Sequence, residues 1–223
     1  MLVLAFDTST PAVTVAVASV DPASEGASTL AAAVEVAANH HGELLAPLID
    51  TVLAAAGVVV SDLDAIGVGL GPGPFTGLRV GIMTARAMSD ALGVPAYGES
   101  SLRLLARGRA GVATDARRKQ VYWAITGDAG FEAGPDIATP AEAAARFAEA
   151  GIQTVAGEGP LRYPEAFAGL TAAPGATYPQ AALLIERIAH RVCTAAPADP
   201  LAPMYLRRPD AQPPGRPKQV TPA

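Results

Sequence analysis

Residues 2–20 alternate short apolar runs with turn residues, which is the pattern of strands joined by tight turns. The run at 2–6 is apolar and ends at Asp7-Thr8-Ser9-Thr10-Pro11, and β-branched residues dominate positions 13–20. A third strand is expected within residues 28–37. The start of the chain therefore predicts an antiparallel β-unit whose first turn carries Asp7.

The apolar spacing changes to that of a helix between residues 42 and 56. Leucine, isoleucine and valine recur there at steps of one, three and four, at Leu44, Leu45, Leu48, Ile49, Val52 and Leu53. Residues 65–70 then predict a buried strand, and residues 76–92 predict a helix that ends at Gly93. The predicted order for the first half is β-β-β-α-β-α.

The second half opens with the same pattern. Asp115 is followed after five residues by the strand-like run 121–125, just as Asp7 is followed after five residues by 13–17. Two such units predict duplicated lobes that face each other across a cleft, each with an aspartate at its hairpin turn. The alternative is that aspartate simply favours turns.

The remaining pattern completes a second, smaller lobe. Residues 140–150 predict a helix, residues 152–156 a strand and residues 180–194 a further helix. We therefore expect an N-terminal lobe at 1–108 and a C-terminal lobe at 109–208. The Pro-rich, polar tail at 209–223 is expected to be disordered.

Composition and charge narrow the class of protein. The longest charge-free stretch after the first lobe, residues 166–185, is broken by Pro174, Gly175 and Pro179, so no transmembrane segment is expected. The apolar N-terminus has no basic leader, and the single Cys193 suits a reducing compartment, which together predict a cytoplasmic protein. The net charge of −5 argues against a broad surface that binds nucleic-acid phosphates. If RNA is involved, a partner protein is therefore expected to bind it.

A glycine-rich segment, Gly71-Pro72-Gly73-Pro74-Phe75-Thr76-Gly77-Leu78-Arg79-Val80-Gly81, lies between a predicted strand and a predicted helix. Phosphate loops occupy such positions, because glycines permit close backbone approach and a helix N-terminus favours anions. The spacing matches neither a P-loop nor the dinucleotide fingerprint. An anion site and a tight strand-to-helix corner both remain open.

The same segment resembles the signature of the TsaB (YeaZ) family. Further similarities follow in order along the chain, at Ala5-Phe6-Asp7-Thr8-Ser9, at residues 41–49, at Asp115-Ala116-Arg117-Arg118 with Val121-Tyr122, and at Pro203-Met204-Tyr205-Leu206-Arg207. The resemblance implies an α/β fold of the actin-like (ASKHA, ribonuclease H-like) class, built from two duplicated lobes. That fold agrees with the duplication inferred from the two aspartate turns.

The resemblance implies a scaffold or activator subunit that is not catalytic alone. Its partner TsaD would transfer threonylcarbamoyl to adenosine 37 of ANN-decoding tRNAs, and TsaE, an ATPase, would be a third component. The chain would contact tRNA only indirectly, through the complex. No association with a membrane is expected. The chain alone would be able to form a homodimer.

No cofactor is required in this interpretation. If ATP or ADP does bind, the residues that resemble a nucleotide site are Asp7, Thr8, Ser9, Gly71, Gly73 and Asp115. Ser9 stands where the superfamily often has a glycine that lets the backbone approach phosphates, which argues against an ATP site. The main alternative function is an ATP-dependent small-molecule kinase with Asp7 and Asp115 flanking the phosphates.

The sequence lacks the histidine motifs that a metal site of this family would need. TsaD carries a metal-binding His-x-x-x-His helix, but His41 is followed four residues later by Leu45, and no His-Glu-x-x-His is present. The family also has an older glycoprotease (M22) label. This sequence lacks the metal ligands and the general base that such a metalloprotease would need. His190 and Cys193 are more typical of a packed helix face, and Arg117-Arg118-Lys119 of a solvated turn, although that turn could touch RNA or an acidic partner.

The two first-lobe helices are the expected docking surface for TsaD. The helix at 76–92 is apolar on more than one side, so part of its surface is expected to meet another protein. The interface residues expected from the two helices are His41, Leu44, Leu45, Leu48, Ile49, Val52, Phe75, Thr76, Arg79, Ile82, Met83 and Arg86.

Overall fold

Two mixed five-stranded sheets form the framework of the protein in the computed structural model, which describes residues 1–37, 40–173 and 177–207. In the first lobe the strands are β1 (Leu2–Asp7), β2 (Ala12–Val20), β3 (Ala27–Val36), β4 (Ala65–Gly69) and β5 (Ala96–Glu99). Its helices are α1 (His41–Ala56) and α2 (Phe75–Leu92), with short 3-10 turns at Val60–Asp62 and Ser101–Leu104. The predicted tail at 209–223 lies outside the described residues.

The second lobe follows the same plan. Its strands are β6 (Ala110–Asp115), β7 (Val121–Thr126), β8 (Phe131–Ala138), β9 (Thr154–Ala156) and β10 (Thr171–Ala172). Its helices are α3 (Pro140–Glu149) and α4 (Gly159–Arg162), and α5 (Ala181–Cys193) follows them.

The two sheets have equivalent strand orders, β3-β2-β1-β4-β5 and β8-β7-β6-β9-β10. In each, the first three strands form an antiparallel meander and the last two run parallel to the first. The hairpin partners Asp7↔Thr14 and Asp115↔Val121 occupy equivalent ends of the two meanders. The α/β fold of two duplicated lobes expected from the sequence is therefore confirmed.

Helices cover both faces of the first sheet. The apolar stripe of α1 packs with α2 on one face, where Leu45, Ile49 and Ile82 join Val15 and Val68 in a continuous core. β1 is buried along nearly its whole length because it lies at the centre of the sheet with helices above and below. The α1 helix ends at Gly57, whose φ of +66° is the left-handed conformation usual after a helix.

The last helix corrects the predicted domain boundary. Instead of belonging to the C-terminal lobe at 109–208, α5 packs on the opposite face of the first sheet, where Leu184, Ile185 and Ile188 join Val3 and Ala5 in a core. Gly67 permits this contact, because a Cβ there would lie 2.9 Å from the Ile188 Cδ1 atom. The apolar face of α5 thus completes the first lobe.

Residues 196–207, which we call the strap, continue along the first lobe. The Asp199 N–H donates to the Ala96 carbonyl and the Met204 N–H donates to the Leu70 carbonyl. Leu201 is buried in the α1–α2 core, and Leu206 packs on a core of the second lobe. The strap therefore runs from one lobe to the other. Within the described part of the chain, no helix is long and apolar enough to cross a bilayer.

Leu184→Ala tests the return of α5 to the first lobe. Because Leu184 is fully buried, the truncation is expected to lower the free energy of unfolding by about 2–5 kcal/mol. The matched control is Leu161→Ala, whose side chain is 67% exposed and whose loss should change stability by less than about 0.5 kcal/mol. Equal losses in urea denaturation followed by circular dichroism would contradict the packing of α5.

Candidate functional site

The glycine-rich segment lies directly against the turn that follows β1. A Cβ at Gly73 would be 2.2 Å from the Ser9 carbonyl oxygen, and one at Gly77 would be 2.4 Å from the Thr8 carbonyl oxygen. The Thr8 hydroxyl donates to the Gly77 carbonyl at 2.8 Å. The glycines therefore allow the start of α2 to pack on the backbone of the turn, which is the tight corner that the sequence left open beside an anion site.

Asp7 lies at the centre of a closed polar network. One carboxylate oxygen, Oδ1, accepts hydrogen bonds from the Ser9 N–H at 2.8 Å and the Ser9 hydroxyl at 2.7 Å. The other, Oδ2, accepts a hydrogen bond from the Ser101 hydroxyl, whose oxygen accepts from the Gly71 N–H at 2.9 Å. The network ties β1, the glycine-rich segment and the 3-10 turn at Ser101–Leu104 together.

The Asp7 carboxyl is shut away from solvent. Its exposed fraction is 0%, and burial raises its pKa above the ordinary value, although hydrogen bonds from Ser101 and Ser9 act in the opposite direction. A Cβ at Gly69 would collide with the carboxylate, which shows how closely the strand covers it. In this conformation Asp7 serves its own turn and presents no oxygen to a ligand.

A cleft of about 520 Å³ separates the lobes. The first lobe contributes Ser9, His41 and the start of α2 at Phe75 and Thr76. The second contributes side chains from the β6–β7 turn and from α4. The cleft is thus formed where the two equivalent hairpin turns face each other.

The second-lobe side of the cleft contains buried acids and exposed bases. Asp115 accepts a hydrogen bond from the Arg117 N–H at 3.1 Å, and the Arg162 Nε atom lies 3.5 Å from its Oδ1 atom. The Glu158 carboxylate accepts from the Asp115 N–H at 3.1 Å. Burial raises the pKa of Glu158 above its ordinary value. No sequence signal marked Glu158 or Arg162, because their proximity to Asp115 depends on the packing of α4 against β6.

The residues expected to resemble a nucleotide site divide into two groups. Asp7, Ser9 and Gly71 share the closed network, with Thr8 and Gly73 in the adjoining corner. Asp115 lies on the other lobe, across the cleft. Of these residues only Ser9 and Asp115 line the cleft. Ser101, which the sequence did not mark, completes the closed group.

The helix position one turn after His41 is apolar. Leu45 is 1% exposed and lies in the α1–α2 core. His41, one turn earlier, is buried beside the cleft, and its Nε2 atom is 2.7 Å from the Thr10 carbonyl oxygen. These residues do not fit a metal ion. Across residues 1–37, 40–173 and 177–207, no group of three or more His, Cys, Asp or Glu side chains is placed to hold one.

The structure corrects part of the expected docking surface. Half of the residues expected there are buried within the first lobe, because the apolar stripe of α1 and Ile82 of α2 face their own sheet: His41, Leu45, Leu48, Ile49, Val52 and Ile82. Those that reach the surface are Leu44, in part, and Phe75, Thr76, Arg79, Met83 and Arg86. Arg86 also has a structural contact, since its guanidinium donates to the Pro200 carbonyl at 2.7 Å and holds the strap.

The exposed surface of the two helices carries charges of both signs. On α1, Glu43 and Asp50 are exposed, and on α2, Arg79 and Arg86 are exposed. Met83 lies between the two arginines with 56% of its surface accessible.

Comparison with known proteins assigns the chain to a family. A family model described as "TsaD: tRNA N6-adenosine threonylcarbamoyltransferase" matches residues 34–210. The Escherichia coli (strain K12) "tRNA threonylcarbamoyladenosine biosynthesis protein TsaB" is 34% identical over 132 residues, 56% of this chain and 54% of that protein. A solved structure, "YeaZ from Pseudomonas aeruginosa", is 29% identical with a TM-score of 0.73, covering 92% of this chain and 99% of that one. The chain belongs to this family, as a TsaB (YeaZ) member.

Other relatives extend the comparison without naming an activity. An uncharacterized Mycobacterium tuberculosis (strain H37Rv) protein is 40% identical to this TsaB-family chain over 214 residues, 95% of the chain and 94% of that protein. An uncharacterized Mycobacterium leprae protein is 42% identical over 217 residues, but the chain spans only 56% of its length.

The fold extends to more distant structures. Component A of the Acidaminococcus fermentans (R)-2-hydroxyglutaryl-CoA dehydratase is 10% identical with a TM-score of 0.55, over 86% of this chain and 99% of that one. Its likeness to this TsaB-family chain is in fold alone.

Asp7→Asn tests the closed network through the pH dependence of stability. Because the folded-state pKa of Asp7 is raised, the stabilising contribution is fully present below the unfolded value and is lost as pH rises through the folded pKa. Wild type should therefore lose stability relative to Asp7→Asn as pH is raised from the unfolded pKa, and denaturation at a series of pH values measures this.

The control is Asp21→Asn in an exposed turn. Hydrogen bonds from the Ala23 N–H and the Ser24 hydroxyl lower the pKa of Asp21, so wild type should gain stability relative to that variant as pH rises. Parallel trends for the two variants would contradict the burial of Asp7.

Proposed function

We propose that this TsaB-family chain is a subunit, not catalytic alone, of the machinery that forms N6-threonylcarbamoyladenosine at position 37 of ANN-decoding tRNAs. It acts as a scaffold or activator that pairs with TsaD and recruits TsaE. It is cytoplasmic and meets tRNA as part of the complex. Family membership supports the pathway, and the residues of α1 support the absence of an active site.

The observation that carries the non-catalytic role is the pair His41 and Leu45. A metal-binding helix needs two ligands one turn apart on one face. Here the second position is filled by the buried Leu45 side chain, and the His41 ring lies against the Thr10 carbonyl. Both side chains serve the folding of the first lobe, which leaves the transfer chemistry to TsaD.

Nucleotide chemistry is not needed in this proposal. The kinase alternative requires Asp7 and Asp115 to flank phosphates, but the Asp7 carboxylate is fully buried and hydrogen-bonded to Ser9 and Ser101. Calorimetry of the full chain with Mg-ATP should therefore give no binding heat. Tight stoichiometric binding would favour the kinase.

The docking surface proposed for TsaD is the exposed face of α1 and α2. Met83 supplies an accessible apolar side chain between Arg79 and Arg86 on α2, and α1 contributes the exposed acids Glu43 and Asp50. An apolar centre with charges around it is typical of a specific protein interface. When TsaD is absent, the same face is expected to pair with a second copy of the chain.

The function itself is tested by reconstitution. Purified chain with tRNA, threonylcarbamoyl-adenylate and no TsaD should form no modified nucleoside, measured by mass spectrometry of digested tRNA. Addition of TsaD and TsaE should restore the product. Modified nucleoside made by the chain alone, or equal product from TsaD and TsaE without this chain, would sink the proposal.

Met83→Glu tests the docking face. A carboxylate at position 83 is expected to weaken association with TsaD by about 2 kcal/mol or more, because it replaces the apolar contact of Met83 with a charge that must be desolvated in the interface. Since Met83 is exposed in the chain itself, the fold should be retained. Co-purification and analytical ultracentrifugation provide the measurement.

The controls for this variant are Met83→Leu and Leu161→Glu. The first keeps the apolar contact, and the second places the same charge on an exposed leucine of the other lobe. Both should bind TsaD as wild type does. Unchanged binding by Met83→Glu would place the contact on a different surface.

A further inference from the structure

The β6–β7 turn presents consecutive basic residues in an uncommon backbone conformation. Arg117, Arg118 and Lys119 have φ angles of +63°, +52° and +57°, and all are exposed. The Gln120 N–H donates to the Arg117 carbonyl at 3.0 Å, which places Arg118 and Lys119 at the two central positions of the turn. Such positions favour Asn and Gly, since a Cβ is unfavourable at positive φ. Long cationic side chains occupy these positions, although the positive φ angles favour Asn or Gly there.

Two acidic side chains lie beneath this turn. The Asp115 side chain is 8% exposed and is held by the Arg117 N–H, and Glu158 is 9% exposed and is held by the Asp115 N–H. The cations therefore form the outer surface and the carboxylates form its support.

Two further arginines extend the basic surface. Arg162 on α4 is 51% exposed, and the Arg207 guanidinium at the end of the strap donates to the Gln120 side chain. We call these side chains the hairpin patch: Arg117, Arg118, Lys119, Arg162 and Arg207. It concentrates positive charge around the β6–β7 turn, where Arg117 and Arg162 line the cleft, although the chain as a whole has a net charge of −5.

Two partly exposed aromatic rings stack on each other, and one of them lines the cleft. Phe75 and Tyr205 stack with ring centroids 5.4 Å apart, and 45% and 41% of their surfaces are accessible. Phe75 lines the cleft together with Arg117 and Arg162. The strap links the two features, because Tyr205 is two residues before Arg207.

We propose that the hairpin patch and Tyr205 form an RNA-binding site, in which the cations contact phosphates and the Tyr205 ring stacks on an unpaired base. Arginine and lysine neutralise phosphates, and aromatic faces accept bases of single-stranded segments. An acidic protein surface would also suit the cations, but the accessible rings beside them favour a nucleic acid. The identity of the RNA as tRNA rests on the proposed function.

The cations are tested by the triple variant Arg117→Gln, Arg118→Gln, Lys119→Gln. The probe is a fluorescently labelled tRNA transcript with an ANN anticodon, titrated with the full chain by anisotropy between about 50 and 200 mM salt, the range over which phosphate contacts weaken steeply. The salt slope is the magnitude of the change in log affinity with log salt concentration, and each lost single-strand phosphate contact lowers it by about 0.7. The salt slope of the variant should therefore be smaller by about 2, and its binding at low salt should be at least about tenfold weaker.

The matched control removes the same charge elsewhere, by Arg107→Gln, Arg109→Gln and Arg146→Gln. These arginines are exposed and lie outside the hairpin patch. Their loss should leave the affinity within about twofold and the slope unchanged, because they make no phosphate contact in this proposal. An equal loss in both triple variants would reduce the effect to net charge and overturn the site.

Tyr205→Ala separates stacking from charge. It should weaken binding by about fivefold or more at an unchanged salt slope, whereas Tyr205→Phe, which keeps the ring, should bind as wild type does. No binding by wild type at about 100 µM chain and low salt, weaker than ordinary non-specific association, would overturn the proposal.

The outcomes separate this site from the proposed function. If the patch variant keeps its tRNA affinity but no longer co-purifies with TsaD, the patch docks an acidic protein surface and the RNA site is wrong. If the RNA titrations behave as expected and wild type fails to associate with TsaD, the proposed function falls while the RNA site stands.

Discussion

The close approach of two backbone segments, the turn after β1 and the start of α2, fixes the geometry of the first lobe. The atoms opposite Gly73 and Gly77 are the carbonyl oxygens of Ser9 and Thr8. Backbone atoms cannot rotate away as a flexible side chain can, so any Cβ at these positions would force the segments apart. The contact places Phe75 at the cleft and helps to enclose Asp7. A segment that looks like a phosphate loop in sequence is thus a packing device in three dimensions.

Much of the fold could be predicted from the sequence because its central elements have strong patterns. The β-branched run of β2, the apolar stripe of α1 and the repeated spacing after Asp7 and Asp115 identified the lobes. β8 was missed because Gly134 and Pro135 interrupt it, which is tolerated at a sheet edge but argues against a strand. β5 and β10 are only four and two residues long, too short for any periodicity.

The candidate site was harder to predict because periodicity identifies an apolar face without identifying what covers it. The stripe of α1 was expected to meet a partner, and its largest members instead fill the core of their own lobe. The apolar face of α5 had the same ambiguity and was placed on the wrong lobe. For Asp7, the sequence marked the turn, but Ser101, 94 residues away, decides that the carboxylate is enclosed. Such long-range contacts leave no local trace in a single sequence.

The position of α5 has a consequence for how the protein is made. β1 and β2 are translated long before α5, yet α5 is the helix that covers one face of their sheet. While the ribosome is translating the second lobe, Val3, Ala5 and Ala16 have no helix to pack against. The nascent first lobe therefore carries an uncovered apolar surface until residues 181–193 emerge, and it is during this interval that a chaperone has most to protect.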